Sequence, residues 1–203
     1  MSVRDKLIEA ATTMFLKYGV KSVSMDDMAR LMGISKKTIY THVENKKSLV
    51  AIVIETFIKN EHKEVKKISK KADNAIEEMA MIADMVLQTL RIMKPKLTYD
   101  IKKYHPMVWD FVENTHFGFM KEVIKKNVLR GQKEGLYRSE LDESMISKIY
   151  FGIVRLCMDE DGIDNQEHLI SDLFGAFISY HLHAIINDHG RKELNKQLKN
   201  IAL

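Results

Sequence analysis

Cysteine and proline are nearly missing from this chain, which has one Cys and two Pro in 203 residues. A single thiol, Cys157, excludes an intramolecular disulfide framework and a cysteine-built zinc cage, and a reducing, cytoplasmic location fits it best. Cys157 sits in the apolar run Ile153-Val154-Arg155-Leu156-Cys157-Met158, which favours a small core residue over a redox sensor or nucleophile. With only nine Gly beside those two Pro, the chain lacks the punctuation of a turn-rich β architecture, and helices are favoured. No apolar signal core follows Met1-Ser2-Val3-Arg4-Asp5-Lys6. The longest uncharged run, Leu173 to Asn187, falls short of the ~20 residues that span a bilayer and holds two histidines, so no membrane partner is expected.

What the chain does have is the composition of a globular protein, 45% hydrophobic and 30% charged, enough for one large domain or a small one joined to a larger. The net charge of +4 is modest, but its position is informative. Residues 1–50 carry nine Lys/Arg against five Asp/Glu, and the rest carries 23 of each sign. The excess positive charge is thus confined to one segment, as expected where a chain meets a polyanion, although a solvated surface shows such charge too.

Periodicity reads as helix throughout. Val3, Leu7, Ala11, Met14, Phe15 and Tyr18 form one stripe, with Gly19 placed as a left-handed C-cap. Ser24-Met25-Asp26-Asp27 resembles a capping box opening a short helix that stops near Gly33. Ser35 caps a third helix running to about His42, and Asn45 caps a fourth reaching about Ser69. Longer helices follow over Ala72–Met93, a short segment around Leu97–Tyr104, and a helix opened by Pro106 that reaches Leu129 or beyond, before Gly131 and Gly135. Leu141–Met158 and Gln166–Asp188 are separated by the polar turn Asp159-Glu160-Asp161-Gly162, and a charged final helix follows Gly190. The fold class expected is all-α.

The segment from Ser24 to His42 carries the chemistry. Two short helices joined by a turn containing Gly make a helix-turn-helix. Ala29 and Gly33 are expected where the two helices pass closely, with Ile39 as the apolar anchor beneath the second. An ordinary αα corner also likes small residues, so this spacing alone leaves DNA binding open. Charge moves the balance. Lys36-Lys37 and Lys46-Lys47 stand at two successive helix starts, against the positive end of the helix dipole, and an anion bound there reverses that cost. DNA phosphates are the natural candidates, solvated lysines the bland alternative. In Ser35-Lys36-Lys37-Thr38-Ile39-Tyr40-Thr41-His42 every side chain but Ile39 is capable of a polar contact, which suits a helix lying in the major groove.

These residues resemble the N-terminal domain of the TetR (tetracycline-repressor) family. The likeness rests on Ile8-Glu9-Ala10-Ala11, Phe15, Tyr18-Gly19, Ser24 through Ala29, Gly33-Ile34-Ser35-Lys36-Lys37-Thr38-Ile39-Tyr40, His42 and Lys46-Lys47-Ser48-Leu49, and runs almost continuously over residues 4–50. It implies a nine- or ten-helix homodimer: an N-terminal three-helix DNA-binding domain over residues 1–48, then a larger helical ligand-binding and dimerisation domain over 49–203. By the same resemblance Thr38 and Tyr40 grip phosphates, and Lys36, Lys37, Thr41 and His42 approach bases or backbone. Lys46 binds a further phosphate, and Ser24 and Ser35 join the DNA-facing set. Two departures stand out: Lys37 replaces a glycine usual in the family, and Val43 replaces the usual Phe.

A small-molecule effector is expected among the middle helices, where Met85, Tyr104, Trp109, Phe117 and Met120 are the candidate lining residues. Methionines and aromatics make adaptable pockets but equally fill helical cores. His181 and His183, two apart on a helix, point about 200° from one another, and with His105, His116, His168 and His189 they show no metal-ligand spacing; neither metal nor cofactor is expected. Two apolar stripes, one with Ile149, Gly152 and Leu156, the other with Phe174, Ile178, Leu182 and Ile185, close either an intrachain core or a four-helix dimer interface. The family likeness favours the dimer, paired on a palindromic, double-stranded operator. The leading expectation is a repressor released when ligand tilts the fourth helix; the alternative is a DNA-binding regulator switched by a protein partner. No paired-carboxylate, Ser/His/Asp or phosphate-loop spacing supports an enzyme.

Overall fold

In the computed structural model, residues 2–158 and 169–197 are described. The turn expected at Asp159–Gly162, His168 and the start of the helix expected from Gln166 lie outside them. Eleven α-helices and one π-helical segment make up the described residues, with a single isolated bridge between Tyr137 and Ile186. Among the described residues no helix is long and apolar enough to cross a membrane. The chain divides into two compact units, Met1–Glu61 with Ile92–Asn114, and His62–Arg91 with Thr115–Leu203.

The first unit is built on α1 (Val3–Tyr18), α2 (Met25–Met32), α3 (Lys36–Tyr40), the start of α4 (Lys46–Lys71), α6 (Pro95–Tyr104) and α7 (Pro106–Phe111). Leu7, Ala11 and Phe15 of α1, Met28 of α2, Ile39 of α3 and Leu49, Val50 and Val53 of α4 are almost wholly buried in one core, which Leu97 and Ile101 of α6 join. Capping sets the boundaries. Ser2 with Asp5 and Ser24 with Asp27 form two complete capping boxes, and Asn45 accepts from Ser48 N at 2.9 Å to open α4. Gly19 ends α1 with φ 77° but an extended ψ of 163°, not the left-handed cap expected. The departure has a local cause: the chain turns there to give Lys21 N to the Asp100 carboxylate at 2.7 Å.

The second unit contains the rest of α4, α5 (Ala75–Ile92) up to Arg91, α8 (Gly118–Lys133), α9 (Glu143–Met158), α10 (Ile170–Ile185) and α11 (Asp188–Gln197). The continuous helix expected from Pro106 is broken into α7, a π segment over Val112–Phe117, and α8. Widening the helix there frees carbonyls, and Asn114 Nδ2 donates to that of Asp110 at 2.8 Å. Gly131 does not end its helix. It lies inside α8 because the Tyr137 ring crosses it, so close that an added Cβ would sit 2.1 Å from ring carbon. Tyr137 Oη in turn reaches the Ala75 carbonyl at 3.1 Å and Asn127 Oδ1 at 3.0 Å, both buried.

Candidate nucleic-acid interface

α2 and α3 are held at their turn by backbone conformation. Gly33 takes φ 64° and ψ 31°, its N–H closing onto the end of α2, and Ile34 N donates to Ala29 O at 3.1 Å. A Cβ on Gly33 would meet nothing within 4 Å, so the glycine is required by its left-handed backbone and not, as spacing suggested, by close helix contact. Ala29 is buried, and Ile39 is fully buried under α3 as its anchor.

With Ile39 fixed inward, the remaining side chains of α3 are distributed around its outer face. Lys36, Lys37, Tyr40 and Thr41 are exposed, while Thr38 and His42 are half-buried. Tyr40 keeps 44% of its surface in solvent, so its ring and hydroxyl are accessible to a partner. Several of the small polar groups are already engaged. Thr38 N donates to Ser35 Oγ at 3.0 Å, the two hydroxyls lie 2.8 Å apart, and Thr41 Oγ1 donates to Thr38 O at 2.7 Å. Ser24 Oγ donates to Asp27 Oδ2 at 2.6 Å, and these bonds hold the Asp27 carboxyl below the usual carboxylate range. Lys36 bridges back to Asp26 on α2 at 2.8 Å, a pairing that raises its pKa. Both partners are solvent-exposed, so the bridge is weak and easily exchanged for a phosphate. At the head of α4, Lys46 is half-buried, and burial lowers its pKa against the opposing pull of Asp100 and Asp27.

The other predicted residues divide. Tyr104 and Trp109 belong to the first unit, where Trp109 packs against the core and lies under Lys102 Nζ at 4.9 Å. Met85, Phe117 and Met120 belong to the second, the last two buried. On α9, Ile149 and Leu156 are about half exposed and Gly152 faces solvent, whereas Phe174, Ile178, Leu182 and Ile185 of α10 are buried at 4% exposure or less. Those four therefore close the core of a single chain and do not form an interface stripe. The outward face of α10 is instead Leu169, Ala176, Tyr180 and Ala184, with Leu173 half-buried. Pattern reading also missed Asp100, 1% exposed, which anchors Lys21 across 79 residues and leaves no local trace. His181 is buried and His183 exposed, as their spacing requires.

The family model for bacterial regulatory proteins of the tetR family matches residues 7–53, a segment that includes every residue expected to face DNA. The HTH-type transcriptional regulator YhgD of Bacillus subtilis (strain 168) is 34% identical over 127 residues, 61% of this chain and 60% of that protein. The chain therefore matches under two thirds of that relative's length. A TetR-family transcriptional regulator from Agrobacterium tumefaciens shares the fold with a TM-score of 0.74 at 18% identity, covering 91% of this chain and 97% of that one. SmeT, the repressor of the Stenotrophomonas maltophilia multidrug efflux pump SmeDEF, gives 0.67 at 15% identity, covering 93% and 92%. Residues 7–53 thus match a TetR-type N-terminal domain, and the chain as a whole shares the fold of TetR-family regulators. Within that TetR-type domain, Val43 at the position usual for Phe is buried at 5% exposure and keeps the core closed with a smaller side chain. Lys37, at the position of the usual glycine, is exposed and adds a cation to the outer face of α3.

Proposed function

We propose that this protein is a homodimeric transcriptional repressor that grips a palindromic operator with its two α3 helices and leaves it when a small molecule binds. The observation that carries the reading is the outer face of α3, where Lys36, Lys37, Tyr40 and Thr41 stand in solvent around a fully buried Ile39. Such a face spends its one apolar residue on the core and offers the rest to phosphates and base edges. Lys46 adds a phosphate contact at the start of α4. SmeT, which shares the fold, is a repressor, and the same role is assigned to this chain here.

An effector has support in the second unit. Tyr150, Phe174, Phe177 and His181 form a buried aromatic cluster, with the Tyr150 and His181 rings 5.0 Å apart. Within it His181 Nε2 finds no hydrogen-bond partner among the described residues. An orphaned ring nitrogen among aromatics suits an apolar ligand with one hydrogen-bonding group. Release requires that this ligand bind the DNA-incompetent state more tightly, with tilting of α4 changing the spacing of the two α3 helices.

The test is binding of purified protein to genomic fragments flanking its own gene, wild type beside Lys37→Ala and Tyr40→Ala, across a salt series. Tight, steeply salt-dependent binding to one palindrome, weakened about tenfold or more in each variant, is expected. Equal, weak binding of all three proteins to every fragment overturns the reading.

A further inference from the structure

The first unit holds a cleft of about 460 Å³ lined by Val20, Lys21, Lys46, Lys47, Tyr104 and His105. Its walls come from three places: the connection after α1, the first turn of α4 and the corner between α6 and α7. Three lysines and a histidine converge on it, and no carboxylate lines it. Lys21 Nζ is held by an aromatic, not an acid: it lies 3.2 Å from Tyr104 Oη and 5.1 Å above the Tyr104 ring. Two acids outside the lining, Asp100 and Asp27, act on this cluster; Asp100 is 1% exposed and has already given Oδ2 to Lys21 N. Its Oδ1 is buried with no hydrogen-bond partner among the described residues, an acceptor of the kind that water or a ligand hydroxyl completes.

Two of the lining groups, His105 and Lys46, are held below their ordinary protonation range. Burial, then Lys46 and Lys47, lower the pKa of His105, and burial lowers that of Lys46. Like charges brought together in partial burial are relieved by an anion. Asp100 and Asp27 together do not balance three lysines, and a phosphate, at about −1.5 to −2, supplies the missing negative charge. The volume falls in the range that holds a small organic molecule, roughly 300–1,000 Å³.

We propose that this cleft binds a small free phosphorylated molecule, its phosphate held by Lys21, Lys46 and Lys47 and by the Tyr104 hydroxyl. Because Lys46 also faces DNA, the bound anion competes with an operator phosphate and weakens DNA binding. That consequence rests on the repressor reading above; the binding itself does not. A backbone phosphate of DNA has the same chemistry, and the experiment separates the two sources.

Inorganic pyrophosphate is titrated calorimetrically into the full chain without DNA, at ionic strength matched with chloride. Wild type is compared with Lys21→Gln, Tyr104→Phe and the remote charge control Lys133→Gln, each checked for folding by circular dichroism. Saturable binding near one per chain is expected, unchanged in Lys133→Gln and weakened about tenfold in Lys21→Gln, an effect equivalent to ~1.4 kcal/mol. Tyr104→Phe is expected to weaken it a few-fold. In a parallel arm, fluorescence anisotropy follows a flanking DNA fragment with and without pyrophosphate, and competition is expected. Absence of saturable binding overturns the proposal, as does equal affinity in wild type and Lys21→Gln. If pyrophosphate does not bind while Lys21→Gln weakens DNA binding, the cleft takes the phosphate of DNA and the free-ligand proposal fails.

Discussion

At the scale of single residues, His181 and His116 set the acid limit of this fold. Burial lowers the pKa of each from 6.5 to about 4, and for His116 the neighbouring His62, 3.2 Å away, adds to it. The unfolded chain takes up these protons as pH falls through 6.5, whereas the folded chain resists until about 4. The unfolded state therefore binds more protons across that window, and stability falls as pH falls. For His181, 6% exposed, a depression of that size corresponds to an upper bound on the order of 3 kcal/mol. Glu61 works the other way. Burial raises its pKa from 4.5 to about 7, so its neutral form is favoured in the fold and stability is lost as pH rises through that range. The histidines act over the more acidic part of the window, and His181→Leu isolates one of them. The fall in Tm between pH 7 and pH 5 is expected to be smaller in His181→Leu than in wild type. An equal fall in both proteins would remove His181 as a source of acid sensitivity.

At the scale of elements, two glycines that look alike in the sequence do different work. Gly33 ends α2 in a left-handed conformation with open space around its Cα, so Gly33→Ala adds only backbone strain, about 1–2 kcal/mol. Gly131 has ordinary helical geometry but lies under the Tyr137 ring. Gly131→Ala must displace a ring that is hydrogen-bonded to buried Asn127, a cost of about 1–3 kcal/mol of overpacking plus disruption of that bond. Thermal denaturation should order the proteins wild type, Gly33→Ala, Gly131→Ala; the reverse order of the two variants would mean that Tyr137 yields without cost. The contrast shows where legibility ends. The helix-turn-helix was readable because caps such as Ser24 with Asp27, the Gly33 stop and the Ile39 anchor all act within a few residues of sequence. Tyr137 Oη on the Ala75 carbonyl, Asp100 beneath Lys21 N, and the network of Asn127 with Glu78 and Ala75 join distant segments, and periodicity holds no record of them.

At the scale of the whole molecule, the same limit explains why the stripe of Phe174, Ile178, Leu182 and Ile185 reads in sequence as either a single-chain core or a dimer contact. Apolar residues occur on both sides of α10, and a period of 3.6 reports that a face is apolar without naming what covers it. In the folded chain Phe174 and Ile178 face inward, while Leu169 and Tyr180 keep 67% and 71% of their surfaces exposed. α9 likewise exposes Met145 at 56%, Ile149 at 54% and Leu156 at 47%, along the line that passes Gly152. Two neighbouring helices with outward apolar stripes are what the proposed homodimer needs for a self-complementary four-helix contact, the isologous geometry of a two-fold dimer. Substitutions on the two faces should then separate association from folding. Ile149→Asp and Tyr180→Asp bring a charge into the contact; each is expected to sediment as a monomer, retain a cooperative melt and lose tight binding to a palindrome, since one α3 helix reads only a half-site. Phe174→Ala leaves a cavity in the single-chain core and is expected to lower stability by about 3–5 kcal/mol. Sedimentation velocity alongside thermal denaturation distinguishes the cases. If Ile149→Asp and Tyr180→Asp remain dimeric, the pairing surface lies elsewhere on the chain, and the operator must be engaged by a differently spaced pair of α3 helices.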